Sequence, residues 1–247
     1  MTRMTRLLLG SGGMSTVDRR EAWIGELDRF LGPVRRILFI PHALADHDGY
    51  LQKMRERGFE AGRVLDGIHR AEDPERAIDQ AQAIYVGGGN SFRLLEQLQK
   101  NGWIDRIRAR VLSGVPYIGV SAGTNMACPT IKTTNDMPIV QPSTFEALGL
   151  VPFQINPHFF SGPLHFQDAG GTLIPYAGET REDRIREFHE MNETPVLGLW
   201  EGAILEVESN RARLTEAGRA KLFRRGDVSR EIAPGSDLSF LLEVGSS

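Results

Sequence analysis

A single cysteine, Cys128, leaves this chain of 247 residues without a partner for an intramolecular disulfide and without a thiolate set for zinc. That scarcity suits a reducing compartment, and the cytoplasm is the expected location. Nowhere does an apolar stretch approach the roughly 18–20 residues that a membrane-spanning helix needs. The run Leu7-Leu8-Leu9 is too short for the apolar region of a signal peptide. An excess of one charge is missing as well. The 29 basic and 32 acidic residues are interspersed, leave a formal net charge of -3, and form no basic stripe that would neutralise phosphates. Neither a nucleic-acid nor a membrane partner is therefore expected. A Pro/Ser/Gly-rich linker and a repeat period of about 20–50 residues are both absent, so residues 1–247 read as one domain.

What is present is the balance of a globular protein able to bury a core, 40% hydrophobic and 25% charged. The first two thirds alternate between short apolar runs and longer amphipathic segments. This is the pattern of βα units around a parallel sheet. Strands are predicted at 6–9, 36–40, 62–68, 83–86 and 116–120, with helices at 17–31, 48–57, 74–82, 91–99 and 104–113. Asp73 reads as a helix cap before Pro74, and Ser91 as the cap of the helix carrying Leu94, Leu95 and Leu98. A charged helix is expected after Glu179. From Pro195 the chain turns to short strand-like runs at 195–199, 203–207, 211–215, 221–224 and 238–244, a β meander expected to close one edge of the sheet.

The stretch from Val115 to Asn125 carries the most chemistry. An apolar strand enters Gly119-Val120-Ser121-Ala122-Gly123 and leaves as a helix, the pattern of a nucleophile elbow. A turn that sharp needs small residues two before and two after its apex. Ser121 would then project its hydroxyl above the carboxyl end of the sheet, with the Ala122 N–H facing any oxyanion formed there. A serine hydroxyl needs a general base. Among His42, His47, His69, His158, His165 and His189, the best placed is His158, which follows the strand-like run 151–155 in Gln154-Ile-Asn-Pro-His-Phe. Ligand chemistry gathers at such strand ends. The other five read as surface or structural histidines, with His165 near enough in sequence to border the same pocket. Two carboxylates could orient the imidazole: Glu201, at the end of 196–200, and Asp136, in the polar loop after the elbow helix. Spacing does not choose between them. Gly87-Gly-Gly-Asn-Ser, between a strand and a helix, could present backbone amides to an oxyanion near Ser121; as a phosphate cradle it lacks a Walker lysine.

These segments together resemble the peptidase E family of aspartyl dipeptidases, whose wider clan includes cyanophycinases and shares a fold with class I glutamine amidotransferases. The resemblance rests on Val86-Gly-Gly-Gly-Asn-Ser-Phe, on Tyr117 to Ile131 around the elbow, on Thr133-Thr-Asn-Asp-Met-Pro, on Gln154-Ile-Asn-Pro-His-Phe and on Gly178-Glu-Thr-Arg-Glu-Asp-Arg-Ile, in the family's order. It implies a three-layer α/β/α fold with a mostly parallel central sheet and hydrolysis of dipeptides that begin with aspartate. It also implies that no metal or organic cofactor takes part, and it suggests a homodimer. Ser121 matches the family's nucleophile and His158 its histidine. Glu201 and Asp136 each match a carboxylate assigned to the relay. Gly88 and Ala122 match oxyanion donors, while Arg181, with Asn90, matches the substrate-binding set. One departure stands out: residues 159–177 look several residues longer than the family's loop, and could reshape or cover the pocket. The rival readings are an esterase of the α/β-hydrolase type, disfavoured because no histidine follows His189, and a binding module that keeps the scaffold without hydrolysis.

Overall fold

The computed structural model describes residues 4–12, 16–59, 62–175, 177–216 and 218–243. Five parallel strands form its centre: β1 (Arg6–Gly10), β2 (Arg36–Ile40), β3 (Val64–Gly67), β4 (Ile84–Val86) and β5 (Tyr117–Val120). The side chains of β1, β4 and β5 are almost wholly buried because helices cover both faces, which is why the sequence shows continuous apolar runs there rather than alternation, whereas the edge strand β3 exposes Val64. In β1 and β2 neighbours point to opposite cores. Leu7, Leu9, Leu38 and Ile40 meet one, and Leu8, Ile37 and Phe39 the other.

Helices α1 (Val17–Leu31) and α2 (His47–Glu56) cover the second of these faces. In α1, Trp23, Leu27, Phe30 and Leu31 form the buried stripe expected at helical spacing, and Thr16 caps the start. Helices α3 (Pro74–Asp79), α4 (Ser91–Lys100), α5 (Trp103–Leu112) and α6 (Ala122–Ala127) lie on the other face. Asp73 does cap α3, its Oδ1 accepting from Arg76 N–H at 2.9 Å. The cap of α4 is Asn90, not Ser91 as expected: Asn90 Oδ1 accepts from Arg93 N–H, and Ser91 is already helical.

The C-terminal third departs from the expected single edge. Strand β10 (Ile204–Glu208) adds antiparallel to β1 and β11 (Arg211–Leu214) antiparallel to β10, completing a seven-stranded sheet of order β11-β10-β1-β5-β4-β2-β3. The other late strands leave it. β9 (Val196–Trp200), β12 (Ala220–Phe223) and β13 (Arg230–Ile232) join β6 (Gln154–Phe159) in a separate sheet of order β13-β12-β9-β6. Local alternation is the same in either sheet, so only long-range packing decides membership. Gly198 is one such contact, since a Cβ there would sit 2.6 Å from Phe159 Cγ. The expected strand 238–244 is instead a 3-10 turn at Ser239–Leu241, held by Asp237 Oδ1 accepting from Ser239 N–H; Val244 lies outside the described residues. The long segment after His158 forms an exposed hairpin, β7 (His165–Gln167) with β8 (Leu173–Pro175), before helix α7 (Arg181–Met191). Among the described residues, no helix is long and apolar enough to cross a membrane.

Candidate active site

Ser121 sits where β5, a central strand, stops against the short helix α6, with φ 55° and ψ -111°. Few L-residues adopt that conformation, and the neighbours explain how it is held. A Cβ at Gly119 would lie 2.5 Å from Gly123 O, and one at Gly123 would lie 2.0 Å from Val86 O. Any larger side chain would force the turn open. Ser121 N–H donates to Gly10 O at 3.0 Å, and Thr124 Oγ1 lies 2.7 Å from the same carbonyl, so the end of β1 clamps the elbow.

His158 lies within β6 rather than after a strand end as expected. A bulge between Asn156 and Phe159 turns it out of the sheet at φ 55°. Three contacts fix that turn. His158 N–H donates to Ser11 Oγ at 2.8 Å, Ser11 Oγ donates to Leu199 O at 2.9 Å, and Asn135 Nδ2 donates to Pro157 O at 2.7 Å. The imidazole packs on Gly12, where a Cβ would stand 2.5 Å from His158 Cε1. Its Nε2 is 2.8 Å from Ser121 Oγ and its Nδ1 is 2.5 Å from Glu201 Oε1. The network assigns the tautomer: Nδ1–H donates to the carboxylate, and Nε2 accepts from the serine hydroxyl. Glu201 occupies the turn after β9, tied to the end of β1 by Gly202 N–H donating to Gly12 O at 3.1 Å. The His158 and Glu201 side chains are 37% and 42% exposed, so their pairing adds little to stability; its effect is to orient the ring.

The other carboxylate is elsewhere. Asp136 Oδ2 accepts from Ser91 N–H at 2.7 Å, Ser91 Oγ at 2.7 Å and Thr134 Oγ1 at 3.0 Å, and Asp136 forms no hydrogen bond or ion pair with His158. The expectation that Asp136 orients the histidine is thus not matched by geometry, because its loop joins the start of α4 rather than the imidazole. Asn90, expected to bind substrate, uses both ends of its amide locally: Oδ1 caps α4 and Nδ2 donates to Met137 O at 2.8 Å. Gly88 approaches Ser121 closely, a Cβ there falling 3.7 Å from Ser121 Oγ, yet its N–H already donates to Tyr50 Oη at 2.8 Å. Arg181 opens α7 with its guanidinium 5.5 Å from the Phe160 ring centroid and its Nε buried without a partner. Burial and the nearby Arg184 lower its pKa, while Asp136 pulls the other way.

Of the remaining histidines, His42 after β2, His47 at the start of α2 and His69 after β3 form a run of tilted ring contacts, His189 Nε2 meets Thr194 O, and His165 lies on the exposed hairpin. No group of three or more His, Cys, Asp or Glu among the described residues is arranged to hold a metal ion. Ser11, Gly12 and Tyr50 were not anticipated. The glycines after Leu9 were the one local signal for the first two, since a glycine-rich strand end beside the elbow strand admits close contacts.

An imidazole held between a carboxylate and a hydroxyl at the carboxyl edge of an α/β sheet is the constellation of a serine hydrolase. The family model described as Peptidase family S51 matches residues 6–215. Peptidase E of Streptomyces coelicolor is 49% identical over 241 residues, covering 98% of this chain and 96% of that protein. A probable alpha-aspartyl dipeptidase of Drosophila melanogaster is 46% identical over 211 residues, covering 85% of each. In three dimensions the chain is similar to a peptidase from an acI-B1 Actinobacterium, with a TM-score of 0.67 at 17% identity over 97% of this chain and 99% of that one. The chain belongs to peptidase family S51, and it is a peptidase.

Proposed function

We propose that the protein hydrolyses short peptides with an N-terminal aspartate, using Ser121 as nucleophile, His158 as general base and acid, and Glu201 to orient the imidazole. The observation that carries this reading is the hydrogen-bonded line Ser121–His158–Glu201, at 2.8 and 2.5 Å, inside a chain of family S51. The names of its relatives, peptidase E and probable alpha-aspartyl dipeptidase, support the aspartate preference.

In this mechanism Ser121 Oγ attacks the carbonyl after the aspartate as its proton passes to His158 Nε2. The imidazolium, facing Glu201, then protonates the leaving amine. The C–N bond breaks and an acyl-enzyme remains. A water molecule, deprotonated by His158, attacks the ester carbonyl, releasing aspartate and restoring the serine hydroxyl. The Ala122 N–H receives the oxyanion in both halves, joined by Gly88 N–H when Tyr50 yields it, each donor being worth about 3 kcal/mol. Arg181 grips the aspartate side chain, a task suited to a planar guanidinium whose Nε lacks a partner.

Neither sheet holds this machinery alone, since Ser121 follows the larger sheet and His158 rides on the smaller; we therefore read the chain as one hydrolytic domain. Balanced charge supports a small peptide substrate and no nucleic acid, in a cytoplasmic setting; the homodimer suggested by family resemblance is checked by sedimentation. Turnover of Asp-X beside Glu-X, Asn-X and Ala-X dipeptides tests the specificity. Ser121→Ala should lower turnover at least about 10³-fold with the fold intact. Near wild-type activity in that variant would remove the mechanism.

A further inference from the structure

Ser11 is wholly buried although it lies just beyond the end of β1, and serines are mostly exposed. Its hydroxyl joins the two sheets. The one proton goes to Leu199 O at 2.9 Å and the oxygen accepts the His158 N–H at 2.8 Å, so the group is used as donor and as acceptor at once. Leu199 stands in β9, two residues before Glu201. Beyond Glu201 the same stretch of chain takes hold again: Ser11 N–H donates to Ala203 O at 2.9 Å, and Gly202 N–H donates to Gly12 O at 3.1 Å. Residues 11 and 12 therefore bracket Glu201 from both sides and hold the backbone of His158, while Gly10 beside them holds that of Ser121.

An L-residue at φ 55° keeps that conformation only while its surroundings insist on it. For His158 they are the Ser11 hydroxyl on its own amide, Asn135 on the Pro157 carbonyl, and Gly12 under the ring. Among these the Ser11 oxygen is the single atom that meets both the histidine's backbone and the strand leading to Glu201. Resting on the Ser121–His158–Glu201 relay read above, we propose that Ser11 is a positioning residue of the reaction, whose hydroxyl fixes His158 and Glu201 as one unit at the distance from Ser121 where the proton passes. Without that oxygen the His158 N–H loses its acceptor beside a site closed to water, and the bulge in β6 relaxes toward negative φ, drawing the imidazole away from Ser121. Substrate binding is left as it was, because a side chain so completely buried meets no ligand.

Ser11→Ala tests this on the fastest dipeptide of the panel above, whichever residue that dipeptide begins with. Its kcat should fall about 10- to 100-fold, the cost of misplacing reacting groups by up to about 1 Å, with KM within about threefold of wild type. The inhibition constant of the free amino acid released from the N-terminal side of that dipeptide should stay within about threefold as well. Wild-type kcat in a folded Ser11→Ala enzyme overturns the proposal. So does a loss shared equally by kcat, KM and the inhibition constant, the mark of a residue that only maintains the shape of the pocket.

Should Ser11→Ala not fold, Ser11→Cys keeps nearly the same volume but offers only a weak donor and acceptor. A kcat lower by about fivefold or more at unchanged KM is expected there, and a wild-type kcat again overturns the role. Ser121→Ala separates this role from the relay on which it rests. Near wild-type turnover in Ser121→Ala removes the relay and the role of Ser11 together. An inactive Ser121→Ala beside a fully active Ser11→Ala leaves the relay standing and removes the role of Ser11 alone.

Discussion

Ser121 and His158 share an uncommon backbone: both stand at φ 55°, on elements belonging to different sheets, with their side chains meeting at 2.8 Å. Each strained residue is pinned to the end of the same strand. Gly10 O receives the Ser121 amide, and Ser11 Oγ receives the His158 amide. The end of β1 is thus the joint at which the serine and the histidine are brought into register, and strain of this kind persists only where the surroundings over-determine it.

Gly12 belongs to that joint, and replacing it should harm chemistry more than folding. An alanine there would put its Cβ 2.5 Å from His158 Cε1, displacing the ring from Ser121. A shift near 1 Å costs about 10²-fold in rate, so Gly12→Ala should lower kcat by about that factor. Gly32→Ala is the contrast. Gly32 also has a positive φ, 53°, but nothing lies within 4 Å of its added Cβ, so it should cost about 1–2 kcal/mol of stability and leave kcat alone. Steady-state kinetics beside urea unfolding decide the matter. A similar loss of stability with no loss of rate in Gly12→Ala would dissolve the joint.

Glu201→Gln should keep the ring in place yet fail to stabilise the imidazolium. The expected result is a kcat lower by about 10²- to 10⁴-fold with KM nearly unchanged. Because Asp136 forms no hydrogen bond with His158, it offers no substitute carboxylate. A Glu201→Gln enzyme within threefold of wild type, about 0.7 kcal/mol in barrier, would show that the 2.5 Å contact is incidental.

Much of this site was legible because its signals are local. Gly119, Ser121 and Gly123 lie within five consecutive residues, and the steric reason for both glycines acts inside the same turn. The central strands declared themselves through unbroken apolar runs. The choice between Glu201 and Asp136 was not legible, since it depends on where β9 joins β6, a pairing that no local pattern encodes. Ser11 was invisible for the same reason: its bond to His158 spans 147 residues. Asn90 and Ser91 illustrate a finer limit. Both are good cap residues one position apart, and it is the reach of Asp136 to Ser91 that places Asn90 at the cap.

Tyr50 holds the Gly88 amide that was expected to stand open for the oxyanion. Partial burial against the second core pushes its pKa up to about 12, so it remains a neutral acceptor at working pH. Tyr50→Phe should release the N–H. Stability should fall by about 1 kcal/mol, the net worth of one neutral hydrogen bond, and a peptide aldehyde forming a tetrahedral adduct with Ser121 should bind up to about tenfold more tightly. An unchanged inhibitor constant in this variant would assign the oxyanion to other amides.

His42 supplies an acid sensitivity unrelated to the reaction. It is 6% exposed, its Nδ1 has no partner, and its ring is packed against Trp103 and 4.4 Å from that of His47. Burial, with the like charges that His47 and His69 would carry, lowers its pKa from 6.5 to about 4. The folded protein therefore keeps His42 neutral between pH 6.5 and 4 while the unfolded chain takes up a proton. Stability is fully present above pH 6.5 and declines as pH falls through this window, by up to about 3 kcal/mol from this group. His47, whose pKa is also lowered, adds in the same direction. His42→Leu removes the group at similar volume. Urea unfolding at pH 7, 5.5 and 4.5 should show the variant gaining on wild type as the pH drops. Two stability profiles that stay parallel across that range would place the acid sensitivity elsewhere in the chain.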